Sequence, residues 1–210
     1  MTPALGKLIE ISGAPFVRDY ERVGSAVDHL GSIGTSIREV LARKNCFFCF
    51  EAALRFFPSI TVDSSWSILD WNSHNLWKGD YRGGADNIFC FAEEIFGRQF
   101  VVHEEKIAIF ESETGDMEVI ASSLEEWASK VLLDYREMTG HPIAHEWQSL
   151  YGALHPRHRL IAKRPFVLGG QYSVENLVSL DSVRVMKSLG NLAHQIQELP
   201  DGAQVEFKIL

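Results

Sequence analysis

Gln99-Phe100-Val101-Val102-His103-Glu104-Glu105-Lys106-Ile107-Ala108-Ile109-Phe110-Glu111 is the stretch on which the fold turns. Two apolar runs of strand length are split by two acidic residues. Residues 99–103 predict one strand, Glu104-Glu105 a turn, and residues 106–111 the next strand. Ile107 and Ile109 alternate with Lys106, Ala108 and Phe110, so both faces of that strand are partly covered. Glu113-Thr114-Gly115-Asp116 turns again, with Gly115 available for positive φ. Residues 117–120 pair back, which completes a meander.

Downstream, Ser123-Leu124-Glu125-Glu126 opens a helix. Ser123 has the position to accept from the backbone N–H three residues on, and Glu126 to reach back. Leu124, Trp127, Val131, Tyr135 and Met138 recur at three and four, giving one apolar stripe. Thr139-Gly140 closes it, with Pro142 just beyond. Residues 143–151 read as helix up to Gly152. Residues 160–168 contain Pro165 and are at most an edge strand. Gly169-Gly170 turns, and residues 174–180 can extend. Val185 or Met186, Leu189, Leu192, Ala193, Ile196 and Leu199 mark a long amphipathic helix, in which Gly190 costs about 1 kcal/mol relative to alanine. Pro200-Asp201-Gly202 turns into a last strand over 204–209, where Val205, Phe207 and Ile209 alternate with polar residues.

Upstream, residues 8–11 predict a first strand, ended by Gly13 and Pro15. Residues 35–41 read as a short helix, with Ser36 and Glu39 at capping-box spacing. Residues 45–50 form an aromatic strand, and residues 51–57 a short helix or strand stopped by Pro58. Residues 63–86 are the least periodic stretch. Strands in clusters with helices between the clusters indicate an α+β fold: a central, largely antiparallel (mixed) β-sheet with flanking helices.

The totals set further bounds. The chain has 210 residues, 46% hydrophobic and 23% charged, which suits a single compact domain over 1–210. Formal net charge is −8. That disfavours nucleic acid, whose phosphates are met by Lys and Arg, and mildly favours a basic partner. Residues 1–12 lack a secretory signal pattern, and no run is long enough to span a bilayer, so the expected address is cytoplasmic. Three cysteines give no disulfide framework. Cys46-Phe47-Phe48-Cys49 has the spelling of a redox or zinc half-site. Yet it lies in a strand, where side chains three apart point to opposite faces, and no matching second pair exists. Cys90, in Ile88-Phe89-Cys90-Phe91, is likewise a small core residue.

Catalytic signals are few. Gly83-Gly84 and Gly169-Gly170 lack the Lys-Ser or Lys-Thr of a phosphate loop, and no Gly-x-Ser-x-Gly elbow is present. Glu93-Glu94 and Glu104-Glu105 point apart if extended and make poor acid/base partners. His141 and His145 are four apart, next to Glu146, a remote candidate for a metal-dependent hydrolase. Pro142, however, leaves His141 outside the helix or at its edge. His155 and His158 flank Pro156 in a loop. No catalytic residue, cofactor or metal is therefore expected.

The order of the pieces is more specific than any one of them. Lys44-Asn45 leads into an aromatic strand and Phe50-Glu51-x-Ala53-Leu54. Trp71-Asn72 precedes Leu76-Trp77, and Phe91-Ala92-Glu93-Glu94 leads to Phe96-Gly97-x-Gln99-Phe100. Glu113-Thr114-Gly115-Asp116 is followed by Ser123-Leu124-Glu125-Glu126-Trp127, Thr139-Gly140-His141-Pro142 and Ala144-His145-Glu146-Trp147. Pro165-Phe166-Val167-Leu168-Gly169-Gly170, Asn176-Leu177 and Leu199-Pro200-Asp201-Gly202 complete the series. This pattern resembles the SUKH superfamily, bacterial members of the Smi–Knr type, with a core over residues 36–138 and a C-terminal extension over 139–210. One departure stands out: the pattern has glycine where this chain has Cys46.

The resemblance implies a non-enzymatic immunity protein, which binds and neutralises a secreted or polymorphic toxin by occlusion. An intracellular regulatory or scaffold module is the alternative. The partner is then a protein, a cognate toxin domain with a basic surface. Residues 63–86 gather candidate contacts: Asp70, Trp71, Trp77, Asp80, Tyr81 and Asp86. Exposed Trp and Tyr bury much area with few rotors, and acids steer a basic partner.

Overall fold

The meander forms one half of a six-stranded sheet, its last strand at the edge. The computed structural model describes residues 2–15, 17, 24–198 and 204–210. The strands are β1 Phe47–Cys49, β2 Leu54–Phe56, β3 Phe89–Glu94, β4 Gln99–His103, β5 Lys106–Phe110 and β6 Met117–Ala121. They lie side by side in chain order and every pair is antiparallel. The sheet is thus α+β material of a simpler kind than a mixed sheet. Glu104 and Glu105 both take positive φ, 47° and 59°, as a two-residue primed turn requires.

Register divides the sheet into two faces. Opposite residues share a face, so Phe47, Phe56, Ala92, Phe100 and Ile109 form one row and Phe48, Arg55, Glu93, Gln99 and Phe110 the next. Trp127 covers the first face, its ring within 5.0–6.4 Å of Phe56, Phe91 and Phe100. The second face carries the polar row and is closed by Trp71, Trp77 and the C-terminal elements.

The helices of the first face are α1 Pro3–Ile11, α2 Gly31–Arg43, α4 Leu124–Leu133 and, following it, α5 Tyr135–Thr139; the short α3, Ile68–Trp71, lies on the second. Residues 8–11 belong to α1, so the predicted first strand is a helix. Pro3 starts it, Leu5, Leu8 and Ile9 face the core, and Glu125 accepts from the N–H groups of Ala4 and Leu5 at 2.8 and 2.9 Å, an anion at a helix N-terminus. Ser36 and Glu39 do not cap α2; they sit inside it, and Ser36 Oγ donates back to Ser32 O. Ser123 does cap α4, but Glu126 reaches Ser122 rather than Ser123. The stripe read as one helix breaks at Asp134 (φ −138°, ψ 58°), so Tyr135 and Met138 lie on α5. Gly140, φ 66°, ends α5 as read.

The C-terminal part contributes α6 His141–Tyr151, a hairpin of β7 His158–Ala162 and β8 Leu177–Asp181, and α7 Ser182–Glu198. Pro165 falls outside β7, where a missing N–H costs no ladder bond. Gly190 in α7 marks a close approach: a Cβ there would stand 3.0 Å from Asp80 Cβ and from the Tyr81 ring. Gly190→Ala is therefore expected to destabilise by about 1–3 kcal/mol although alanine is the better helix former. Urea unfolding checks this; a stabilised variant would mean the approach is looser than drawn. Residues 204–210 form no strand. They run along α7, with Gln195 and Glu206 exchanging two hydrogen bonds and Val205 and Phe207 packed on its cluster. The predicted turn at Pro200-Asp201-Gly202, like Leu199, lies outside the described residues. Among the described residues no helix is long and apolar enough to cross a membrane.

Candidate functional site

The rings expected to form a contact surface are core residues. Trp71 and Trp77 have no exposed area and Tyr81 has 3%. Trp71 Nε1 donates to Gln99 Oε1 at 2.8 Å, Trp77 Nε1 to Trp71 O at 2.9 Å, and Tyr81 Oη to Ser112 O at 2.8 Å. Each indole and phenol thus satisfies its polar atom inside, the arrangement that lets large aromatics plug a sheet. Asp70 and Asp86 are exposed and Asp80 half-buried; Asp70 accepts from Thr61 and Asp86 pairs with His74. Only the acids of the expected set reach solvent.

A different group of residues makes a cavity. A cleft of about 590 Å³ is lined by Phe96, Arg98, Glu111, Glu113, Glu137, Phe166, Val167 and Tyr172 among others. Four segments build it: the β3–β4 turn, the loop after β5, α5, and the loop after β7. Phe96, Phe166 and Tyr172 touch one another, with centroids 5.3–5.5 Å apart. Tyr172 is 57% exposed at the mouth.

The cleft holds more acid than base. Glu113 accepts from the N–H groups of Phe166 and Val167 at 3.0 and 2.7 Å, which fixes one wall to the other. Burial still raises its carboxyl above the ordinary range, and burial does the same to Glu111. Beneath them, Glu94 is fully buried. Its Oε1 accepts from the N–H groups of Phe96 and Arg98, both at 2.8 Å; its Oε2 has no hydrogen-bond partner among the described residues and stands 3.7 Å from Arg98 Nη2. Burial pushes the Glu94 carboxyl up to about 7, against the pull of Arg98. Arg98 is itself held charged by Glu94 and donates to Glu137 O at 3.1 Å. One guanidinium thus stands among four carboxyl groups, and three rings line the same space. A site of this composition favours a cation: carboxylates attract it, and ring faces add about 0.5–2 kcal/mol when it is desolvated.

Sequence reading placed Glu113 in a turn and Phe166 in a segment that is at most an edge strand, and gave neither a role in a site. Long-range packing alone brings them together. The cysteines behave as core: burial pushes Cys46 up to about 11 and Cys49 and Cys90 up to about 12, so the thiols stay protonated at neutral pH. Cys46 has φ 60°, a left-handed conformation in which glycine is ordinarily favoured.

His141 is the first residue of α6, at the helix edge, and it shares a face with His145. Glu146 is exposed and makes no contact with that pair; the carboxylate beside them is Glu51.

No family model matches the sequence, and no curated protein matches it. Among solved structures, the crystal structure of Atu4351 from Agrobacterium tumefaciens is similar, with a TM-score of 0.57 and 11% identity over 87% of this chain and 86% of that one. At that identity the likeness is one of fold, and this chain has the α+β fold that the two share.

Proposed function

We propose that this chain is a non-catalytic binding protein that takes a basic protein partner, with the acidic aromatic cleft receiving a lysine or arginine side chain. Toxin neutralisation by occlusion is the form of this function that the SUKH-like residue pattern supports. The carrying observation is the cleft itself: Glu111, Glu113 and Glu137 line it with Arg98, beside Phe96, Phe166 and Tyr172 and above the buried Glu94. The net charge of −8 adds long-range steering of a basic partner.

Co-expression with a toxin encoded beside this chain tests the reading. Wild type is expected to form a stable complex and rescue growth, and Tyr172→Ala with Glu111→Gln to lose both. A complex that tolerates both changes would move the interface elsewhere. No complex with any such toxin would remove the neutralising role.

The binding carries a pH signature. A carboxyl raised to about 7 is mostly protonated at pH 6 and mostly ionised at pH 8. A cationic side chain favours the ionised form, so binding is expected to tighten about tenfold from pH 6 to pH 8, with proton release. Glu94→Gln keeps the acceptor for the two N–H groups and should flatten that slope in calorimetric titrations. In the free protein the sign is opposite. A raised carboxyl pKa contributes stability below its unfolded value, and the contribution is lost as pH rises through about 7.

A further inference from the structure

We infer that Glu51, His141 and His145 form a binding site for a divalent transition metal ion of the zinc type. The three side chains come from two distant segments, the turn between β1 and β2 and the first turns of α6. Each offers one ligand atom, and all three atoms lie within 4.8 Å of one another. His145 Nδ1 stands 2.6 Å from Glu51 Oε2 and His141 Nε2 stands 3.9 Å from the same oxygen. An ion with bonds of about 2.0–2.1 Å in tetrahedral array sets its ligand atoms roughly 3.3 Å apart. The two spacings from the half-exposed Glu51 carboxylate straddle that value.

The backbone around Glu51 is the second observation. Phe50, Glu51 and Ala52 take φ of 53°, 52° and 67° in succession. None is glycine, and left-handed residues normally occur singly. Strain of this kind is retained where the surroundings over-determine it, and it clusters at functional sites. Here the surroundings are those of the site. Phe50 stacks on Tyr135 at 4.7 Å, Tyr135 also meets the His141 ring edge-on at 5.2 Å, and Gln148 Nε2 donates to Glu51 O at 2.7 Å. The turn is held so that Glu51 faces the two imidazoles.

A simple His–Glu hydrogen bond accounts for the approach of His145 alone; a metal ion accounts for the convergence of all three ligand atoms. Two nitrogens and one carboxylate suit zinc, cobalt or nickel; calcium and magnesium take oxygen ligands instead. The fourth position is open to water or to a donor from a partner. The site stands apart from the acidic cleft, and its existence does not depend on the partner proposed above.

Titration of the metal-stripped full chain with zinc at pH 7.5, against a chromophoric chelator, tests the site. One equivalent is expected to bind with micromolar or tighter affinity. His145→Ala should weaken it at least about a hundredfold and Glu51→Gln at least about tenfold, a matter of lost ligands. Both variants should keep the metal-free melting temperature within a degree or two, since both groups are largely exposed. Cobalt should give visible bands of tetrahedral intensity in wild type alone. A double change at His155 and His158, the other close histidine pair with rings 4.8 Å apart, should leave affinity unchanged. Absence of saturable zinc binding below about 100 μM, or affinity untouched by His145→Ala, overturns the site.

Discussion

Glu93→Ala is expected to lower the unfolding free energy by about 3–5 kcal/mol. Glu93 is fully buried between two fully buried arginines. Arg55 Nη2 lies 2.5 Å from its carboxylate, and Arg159 Nε pairs with the same oxygen. Arg55 also donates to Pro156 O and Ser182 Oγ, and Arg159 to His158 O. Burial depresses the Arg159 pKa to about 10 although Glu93 opposes the shift, which leaves it charged at neutral pH. Removing the one anion leaves two guanidinium groups in the interior with no counter-charge, and that penalty exceeds the value of the pairing itself. For a chain of this length the loss lowers the melting temperature by roughly 2–4 °C per kcal/mol. Replacing the three together by Met, Met and Leu should recover most of the loss, because an apolar set removes the desolvation cost. A Glu93→Ala protein that melts within a degree or two of wild type would show that water reaches the triad.

Trp127→Ala carries the second large effect, about 3–5 kcal/mol. Its ring has no exposed area and fills the space among Phe56, Phe91 and Phe100. Its Nε1 has no hydrogen-bond partner among the described residues, so the indole brings a buried polar penalty with its packing. Trp127→Phe should therefore cost clearly less than Trp127→Ala. Chemical denaturation of the two variants separates volume from polarity; a loss below 1 kcal/mol for alanine would mean the cavity collapses freely.

The legible parts of this fold are those with local causes. Residues 99–120 carry period-two patterning and turn chemistry, and the strands fall where these put them. Ser123 caps α4 because a serine hydroxyl meets an N–H three residues on. Local signals misled where distant groups decide. Residues 8–11 look like a strand alone, yet Glu125 completes a helix N-terminus more than a hundred residues away. Asp134 splits one apolar stripe into two helices by capping the second. Trp71 and Trp77 look like contact residues in an irregular stretch, while the sheet they cover is invisible until strands are paired. The cleft was the least legible feature. Glu94, Glu113 and Tyr172 are ordinary in their own neighbourhoods, and only the folded chain sets them within one space.

The order of strands along the sheet has a consequence for synthesis. Each strand finds its partner in the segment made just before it, so β1 to β6 can assemble progressively as the chain leaves the ribosome. Arg55 and Glu93 meet early. Arg159 and Ser182, which complete their surroundings, are made much later. A nascent chain stalled before residue 159 therefore lacks Arg159 and Ser182, and the pairing of Arg55 with Glu93 waits for the C-terminal hairpin to be covered.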